Sequence, residues 1–212
     1  MIVWGGNDAF VDGSSGGRYN PGTDTWTATN TSDAPGRRNS HTAVWTGSEM
    51  IVWGGQHLFG GVLNSGKRYT PSTDSWTAIG RTNAPSARYL HTAIWTGNEM
   101  IVWGGFDSSG FSNTGDRYNP STDTWIATSI TNAPSTRGYH TAIWTGSEMI
   151  VWGGYDLEYL NSGGRYCAQS GAATPTPTAT ATATPTATPT PTPFTGRCTP
   201  TPRPRPTPAP RP

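Results

Sequence analysis

The chain has 212 residues, room for one domain or two small ones. Hydrophobic residues make up 33% and charged ones only 13%, while glycine (27), proline (19) and tryptophan (10) are abundant. This composition excludes a charged coiled coil and argues against an all-helical domain. The formal net charge of +1 hides an asymmetry, because residues 1–173 carry 10 Lys and Arg against 13 Asp and Glu, and residues 174–212 carry 4 Arg and no acid. An acidic body is a poor partner for nucleic acid, whose binding rests largely on phosphate neutralisation, so no nucleic-acid partner is expected.

The chain opens with Met-Ile-Val-Trp-Gly-Gly, and the same six residues begin again at Met50, Met100 and Met149. A period near 50 residues is the mark of a repeat architecture. The unit from 37 to 80 shows its parts in order. His41 to Trp45 reads as strand A, Thr46 to Glu49 as a tight turn, and Met50 to Trp53 as strand B. Strand C surrounds Lys67 to Tyr69, Thr70 to Asp74 forms a turn, and strand D surrounds Ser75 to Ile79. The segments are short, rich in Thr, Val, Ile and Trp, and punctuated by Gly and Pro, which favours strands. Ile51-Val52-Trp53 is apolar without alternation, as expected of a strand covered on both faces.

The other units follow the same columns, at about 1–30, 87–130 and 137–168. The first lacks strand A and the last lacks strand D, since Cys167 stands where the Pro-Ser-Thr-Asp turn should follow. All ten tryptophans fall in three repeat columns, and His41, His91 and His140 open strand A each time, with Arg38, Arg88 and Arg137 three residues earlier.

Four-stranded units at this period predict a β-propeller. The columns resemble the kelch family: Gly5-Gly6, Gly54-Gly55, Gly104-Gly105 and Gly153-Gly154 after strand B, Tyr19, Tyr69, Tyr118 and Tyr166 in strand C, and Trp26, Trp76 and Trp125 in strand D. The resemblance implies an all-β kelch-type propeller over residues 1–170, with about four blades, two complete and two three-stranded. Kelch rings usually hold more blades. The resemblance therefore implies an incomplete ring, with Met1 standing in the column of internal methionines, and open blade edges available for self-association.

Residues 174–212 hold 14 Thr, 13 Pro and 5 Ala, a composition that cannot fill a core and predicts a disordered or extended stalk. Such Thr-Pro tracts resemble the linkers of secreted and wall-associated bacterial proteins, which places the chain outside the cell or at its surface. No apolar run is long enough to form a transmembrane helix. Cys167 and Cys198 allow either one disulfide or two thiols.

Chemistry is sparse. Equivalent histidines on successive blades are held too far apart by the propeller rotation to share one metal ion, so they are read as structural. Glu49, Glu99 and Glu148 read as solvated hairpin residues, and Asp24, Asp74 and Asp123 as turn-holding side chains. The catalytic alternative that the resemblance implies is a fragment of a galactose-oxidase-like kelch enzyme whose catalytic residues are missing; no cofactor or metal is expected here. The remaining signal is contrast. A-to-B and C-to-D turns repeat almost unchanged on one face, while the B-to-C loops on the other differ completely. They carry Phe10, His57, Phe59, Phe106, Phe111, Tyr155 and Tyr159, residue types suited to contacting a protein or glycan. The sequence thus predicts a non-enzymatic binding module acting through its B-to-C and D-to-A loop face, with a purely structural surface module as a further alternative.

Overall fold

The computed structural model describes residues 1–7 and 13–167. Residues 1–167 belong to one compact unit; the stalk prediction and the Cys198 question fall on residues 169–212, and Phe10 on residues 8–12, so all three lie outside the described residues.

Within the first unit the described residues form strands and turns with no helix. The first sheet comprises β1 (Ile2–Trp4), β2 (Gly16–Asn20) and β3 (Thr25–Ala28). The second comprises β4 (Thr42–Trp45), β5 (Met50–Trp53), β6 (Gly66–Thr70) and β7 (Ser75–Ala78). The third contains β8 (Thr92–Trp95) and β9 (Met100–Trp103), then β12 (Gly115–Asn119) and β13 (Thr124–Ala127), with a small hairpin of β10 (Phe106–Asp107) and β11 (Gly110–Phe111) between them. The fourth has β14 (Thr141–Trp144), β15 (Glu148–Trp152) and β18 (Gly163–Cys167), with β16 (Tyr155–Asp156) and β17 (Glu158–Tyr159) as its own small hairpin. Each sheet is an antiparallel meander in chain order, the blade of a propeller, and the three-, four-, four-, three-stranded pattern is the one the repeat predicts. The two extra hairpins were not legible as strands.

The central strands show why their sequence is apolar throughout. Met50 and Val52 of β5 pack with Trp4 of the preceding blade, whereas Ile51 and Trp53 pack with Met100, Val102, Tyr118 and Trp125 of the next. Ile101 and Trp103 repeat the arrangement against Met149 and Val151. Every side chain of β5 and β9 is buried, and an alternating strand pattern is lost because both faces meet a neighbouring blade. Tyr69, Tyr118, Trp76 and Trp125 are likewise buried, whereas Trp26 of the first sheet is 53% exposed, with no blade among the described residues on that face.

Strand A starts one residue later than predicted, at Thr42 rather than His41. Ser40, Leu90 and Tyr139 take φ of 52, 58 and 56°, and this left-handed corner sets the histidine just outside the ladder. There it bridges blades: His91 Nε2 lies 2.9 Å from Thr42 Oγ1 and His140 Nε2 2.8 Å from Thr92 Oγ1. The structural reading of these histidines holds, and the carboxylates need correction. Glu49 and Glu99 are not solvated turn residues; they pair with Arg68 at 3.5 Å and Arg117 at 3.2 Å. Strand C aligns its arginine beside the turn glutamate, a neighbour that the turn sequence alone does not reveal. Asp74 and Asp123 do more than hold their own turns, for each accepts the tyrosine hydroxyl of its blade and a backbone N–H of the preceding one, from Asn30 and Gly80.

Candidate binding face

The B-to-C loops rise from a base that is the same in each blade. Arg88 is buried, with Nη1 donating to Gly104 O at 3.0 Å and Thr114 O at 2.9 Å, the two ends of the loop in its own blade. Arg38 does the same for Gly54 O and Ser65 O, and Arg137 for Gly153 O and Ser162 O. A guanidinium suits this role because its fixed fork of donors can satisfy several carbonyls at once. Burial lowers the pKa of all three, that of Arg38 to about 10, which leaves them charged at neutral pH.

The double glycine is the second half of the base. A Cβ on Gly54 would stand 2.6 Å from the His91 ring of the next blade, and one on Gly55 would stand 2.4 Å from Asn39 O. Both residues also have positive φ, 70 and 90°, so close approach and backbone conformation both demand glycine. The sequence marks this column; its reason is an adjacent blade. The Gly55 N–H then donates to Arg88 O at 2.9 Å and the Gly105 N–H to Arg137 O at 2.8 Å, stitching one loop base to the next.

Above this base the loops diverge. Phe106 and Phe111 meet edge to face at 5.0 Å across the β10–β11 hairpin. Phe111 continues to Tyr155 of the fourth blade at 5.7 Å, and Tyr155 to Tyr159 at 5.4 Å. Tyr89, from the connection leading into β8, joins the other end, 5.6 Å from Phe106. The result is a row of five rings across two blades. Gly138 makes room for it, since a Cβ there would lie 2.9 Å from Phe111 Cε1. Each hairpin is tied to the D-to-A connection of its blade, by Ser86 Oγ donating to Asp107 Oδ2 at 2.7 Å and by Thr136 Oγ1 donating to Asp156 Oδ2.

Of the residues singled out from sequence, the structure brings Phe106, Phe111, Tyr155 and Tyr159 together. The first three are half-buried against one another, and Tyr159 projects with 92% of its surface exposed. Phe59 stands apart at the tip of the second blade's loop, 93% exposed, beside Leu58. His57 is half-buried at the base of that tip, its N–H donating to Gly61 O at 3.2 Å. Sequence reasoning missed Tyr89, Tyr139 and Leu157, of which the last two are prominently exposed. Tyr89 and Tyr139 sit in D-to-A connections, whose place on the same face as the B-to-C loops was the available signal.

A separate groove of about 590 Å³ lies between the first and second sheets, lined by Ile2, Tyr19, Val44, Trp45 and Pro71 among others. Its lining also takes in Arg18, whose Nη1 donates to Pro71 O at 2.8 Å. The described residues hold no cluster of three or more His, Cys, Asp or Glu placed to ligate a metal ion, and no helix among them is long and apolar enough to cross a membrane.

Comparison with known proteins agrees with this architecture. A family model described as the KLHDC2/KLHL20/DRC7 Kelch-repeats domain matches residues 1–197. No curated protein matches the chain.

Proposed function

The chain belongs to the kelch-repeat family, and from that premise we propose that it is a non-catalytic binding module displayed outside the cell, engaging a protein through its B-to-C and D-to-A loop face. The row of rings from Tyr89 to Tyr159 carries this reading. Its inner members are packed and tethered, so little ordering entropy is lost when a ligand docks, while its outer member and the neighbouring Tyr139 and Leu157 offer apolar surface. Rigid, partly exposed aromatics of this kind are the residues that dominate protein contacts.

The constant base and divergent tips support the same assignment. Arginine clamps and double glycines fix where each loop begins and ends, and the loop between is free to specialise. A glycan ligand is the second reading, favoured by the exposed Tyr159 ring one residue from Glu158, a stacking surface beside a carboxylate. The extracellular placement is supported by the Thr/Pro composition of residues 174–212.

The test is capture of ligands from a surface-protein library and a glycan panel by the full chain. Tyr159→Ala combined with Phe59→Ala should weaken capture roughly 30- to 900-fold, at about 1 to 2 kcal/mol per ring. Asn98→Ala on the opposite face should leave it unchanged. Equal capture by the loop variant and the parent chain would reject this face as the binding surface.

A further inference from the structure

The B-to-C loops diverge, yet two adjacent ones share a pattern. The paired residues of the loop hairpin are Phe106 and Phe111 in the third blade and Tyr155 and Tyr159 in the fourth, and the residue after the first ring is Asp107 or Asp156. In the second blade the corresponding bridge joins Gln56 to Val62, and His57 follows Gln56. Two rings and a carboxylate are therefore a property of two neighbouring blades and not a demand of the fold, which closes the second-blade loop without them.

The shared pattern converges where the two hairpins meet. Phe111 lies 5.7 Å from Tyr155 across the junction of the third and fourth sheets, and both rings keep part of their surface in solvent. Residues 106–111 and 155–159 carry three carboxylates, Asp107, Asp156 and Glu158, and no cation. Asp107 accepts from Ser86 Oγ at 2.7 Å and from the Ser109 N–H at 2.8 Å, and Asp156 accepts from Thr136 Oγ1. Hydroxyl and amide donors orient these carboxylates without neutralising them. The guanidiniums that feel Asp107 and Asp156 are those of Arg88 and Arg137. Both are buried under the loops, with Nη1 of each committed to two loop carbonyls, so neither is presented to a ligand. Glu158 is exposed and forms no ion pair among the described residues.

We propose that this junction receives an arginine-bearing segment of the partner protein, its guanidinium groups lying against the rings of Phe111 and Tyr155 and pairing with Asp107, Asp156 and Glu158. Charge complementarity selects the occupant, because the hairpins offer negative charge alone. The rings select arginine within that class: an aromatic face attracts a cation, and a planar guanidinium both stacks on the ring and pairs with a carboxylate through its fixed fork of donors. The inference rests on the loop face being the binding surface and gives its partner a chemistry.

The probe is a fluorescein-labelled peptide of four Arg-Gly-Ser repeats, with a Glu-Gly-Ser peptide of equal length as its opposite, each titrated with the full chain and followed by fluorescence anisotropy. The arginine peptide should bind and the glutamate peptide should not, and raising salt from about 50 to about 300 mM should weaken binding several-fold. Asp107→Asn, Asp156→Asn and Glu158→Gln together keep the accepting oxygens and remove the charge, and should weaken binding roughly 10-fold. Tyr155→Leu should weaken it roughly threefold. Asp33→Asn removes a charge elsewhere on the same face, in a column where Asn83 and Asn132 already stand with the same left-handed backbone, and should change nothing. Circular dichroism checks that each variant is folded. Failure of the arginine peptide to bind, equal binding of the two peptides, a triple variant that binds as the parent does, or an equal loss in Asp33→Asn would each overturn the proposal. The loop-face reading is judged separately. A captured surface protein whose binding falls with Tyr159→Ala and Phe59→Ala but not with the triple charge variant would keep that reading and reject this one.

Discussion

Acidification from about pH 7 to about pH 5 should strip this propeller of much of its stability through three histidines. His91 and His140 are buried, His41 is half-buried, and each packs edge-on against the strand B tryptophan of the preceding blade, Trp4, Trp53 or Trp103, at 5.5, 5.3 and 5.2 Å. Their Nδ1 atoms are buried, and the Trp4 and Trp53 backbones offset only a small part of the shift at His41 and His91. Burial first, and then the clamp arginine three residues earlier, lowers their pKa to about 4, 3 and 4 from the ordinary 6.5. A depressed pKa on a base means that the unfolded chain takes up protons first. Stability is therefore flat above about pH 6.5 and falls as the pH drops from there toward the folded values. At pH 5 each histidine costs about 2 kcal/mol, and the three together on the order of 4 to 6. That is comparable with the total stability of an ordinary domain, about 5 to 15 kcal/mol. Urea unfolding followed by tryptophan fluorescence at the two pH values measures the difference directly. His91→Gln, which keeps a donor for Thr42 without a titrating ring, should remove about a third of the loss. Equal unfolding free energies at pH 7 and pH 5 would refute the reasoning, because no neutral buried imidazole could then be supporting the blade interfaces.

The clamp can be tested by Arg88→Met, which leaves the Gly104 and Thr114 carbonyls without their donor; denaturant titration should show a loss of about 2 to 6 kcal/mol, at about 1 to 3 for each unsatisfied carbonyl, against under about 0.5 for Arg81→Met, which is exposed. Gly55→Ala should cost more than Gly97→Ala, since both have positive φ but only the first Cβ strikes an atom, Asn39 O at 2.4 Å. Thermal melts should separate them, with Gly97→Ala paying roughly 1 kcal/mol of backbone strain and Gly55→Ala a further steric cost. Tyr118→Phe removes the 2.7 Å bond to Asp123 and should cost about 1 kcal/mol by equilibrium unfolding, with the aromatic contact to Trp125 at 5.0 Å intact.

Much of the architecture was legible because a repeat lets a sequence be compared with itself. Where four copies agree, as at Met50-Ile51-Val52-Trp53, neither local propensity nor a single turn has to bear the assignment, and β5 falls where the columns place it. The binding face was legible only as contrast, constant turns against divergent loops. That contrast located Phe106, Phe111, Tyr155 and Tyr159, but not the hairpins that hold them, whose strands of two residues are too short to show a period. Tyr89 joined the row through a contact with Phe106 made by residues 17 apart in sequence, which only the closing of the blade brings about.

The sequence by itself determined the number of units, the strands within each and the residues that are interchangeable between them, because those follow from local patterning repeated along the chain. Only the tertiary structure decided what each column is for. The double glycine is required by a histidine one blade away, the turn glutamate is matched by an arginine on strand C, and the aspartate of one turn accepts a backbone N–H of another blade. These partners lie about 20 to 50 residues apart, and the force that selects them, close packing of one sheet face on the next, acts between surfaces that exist only once both sheets have formed.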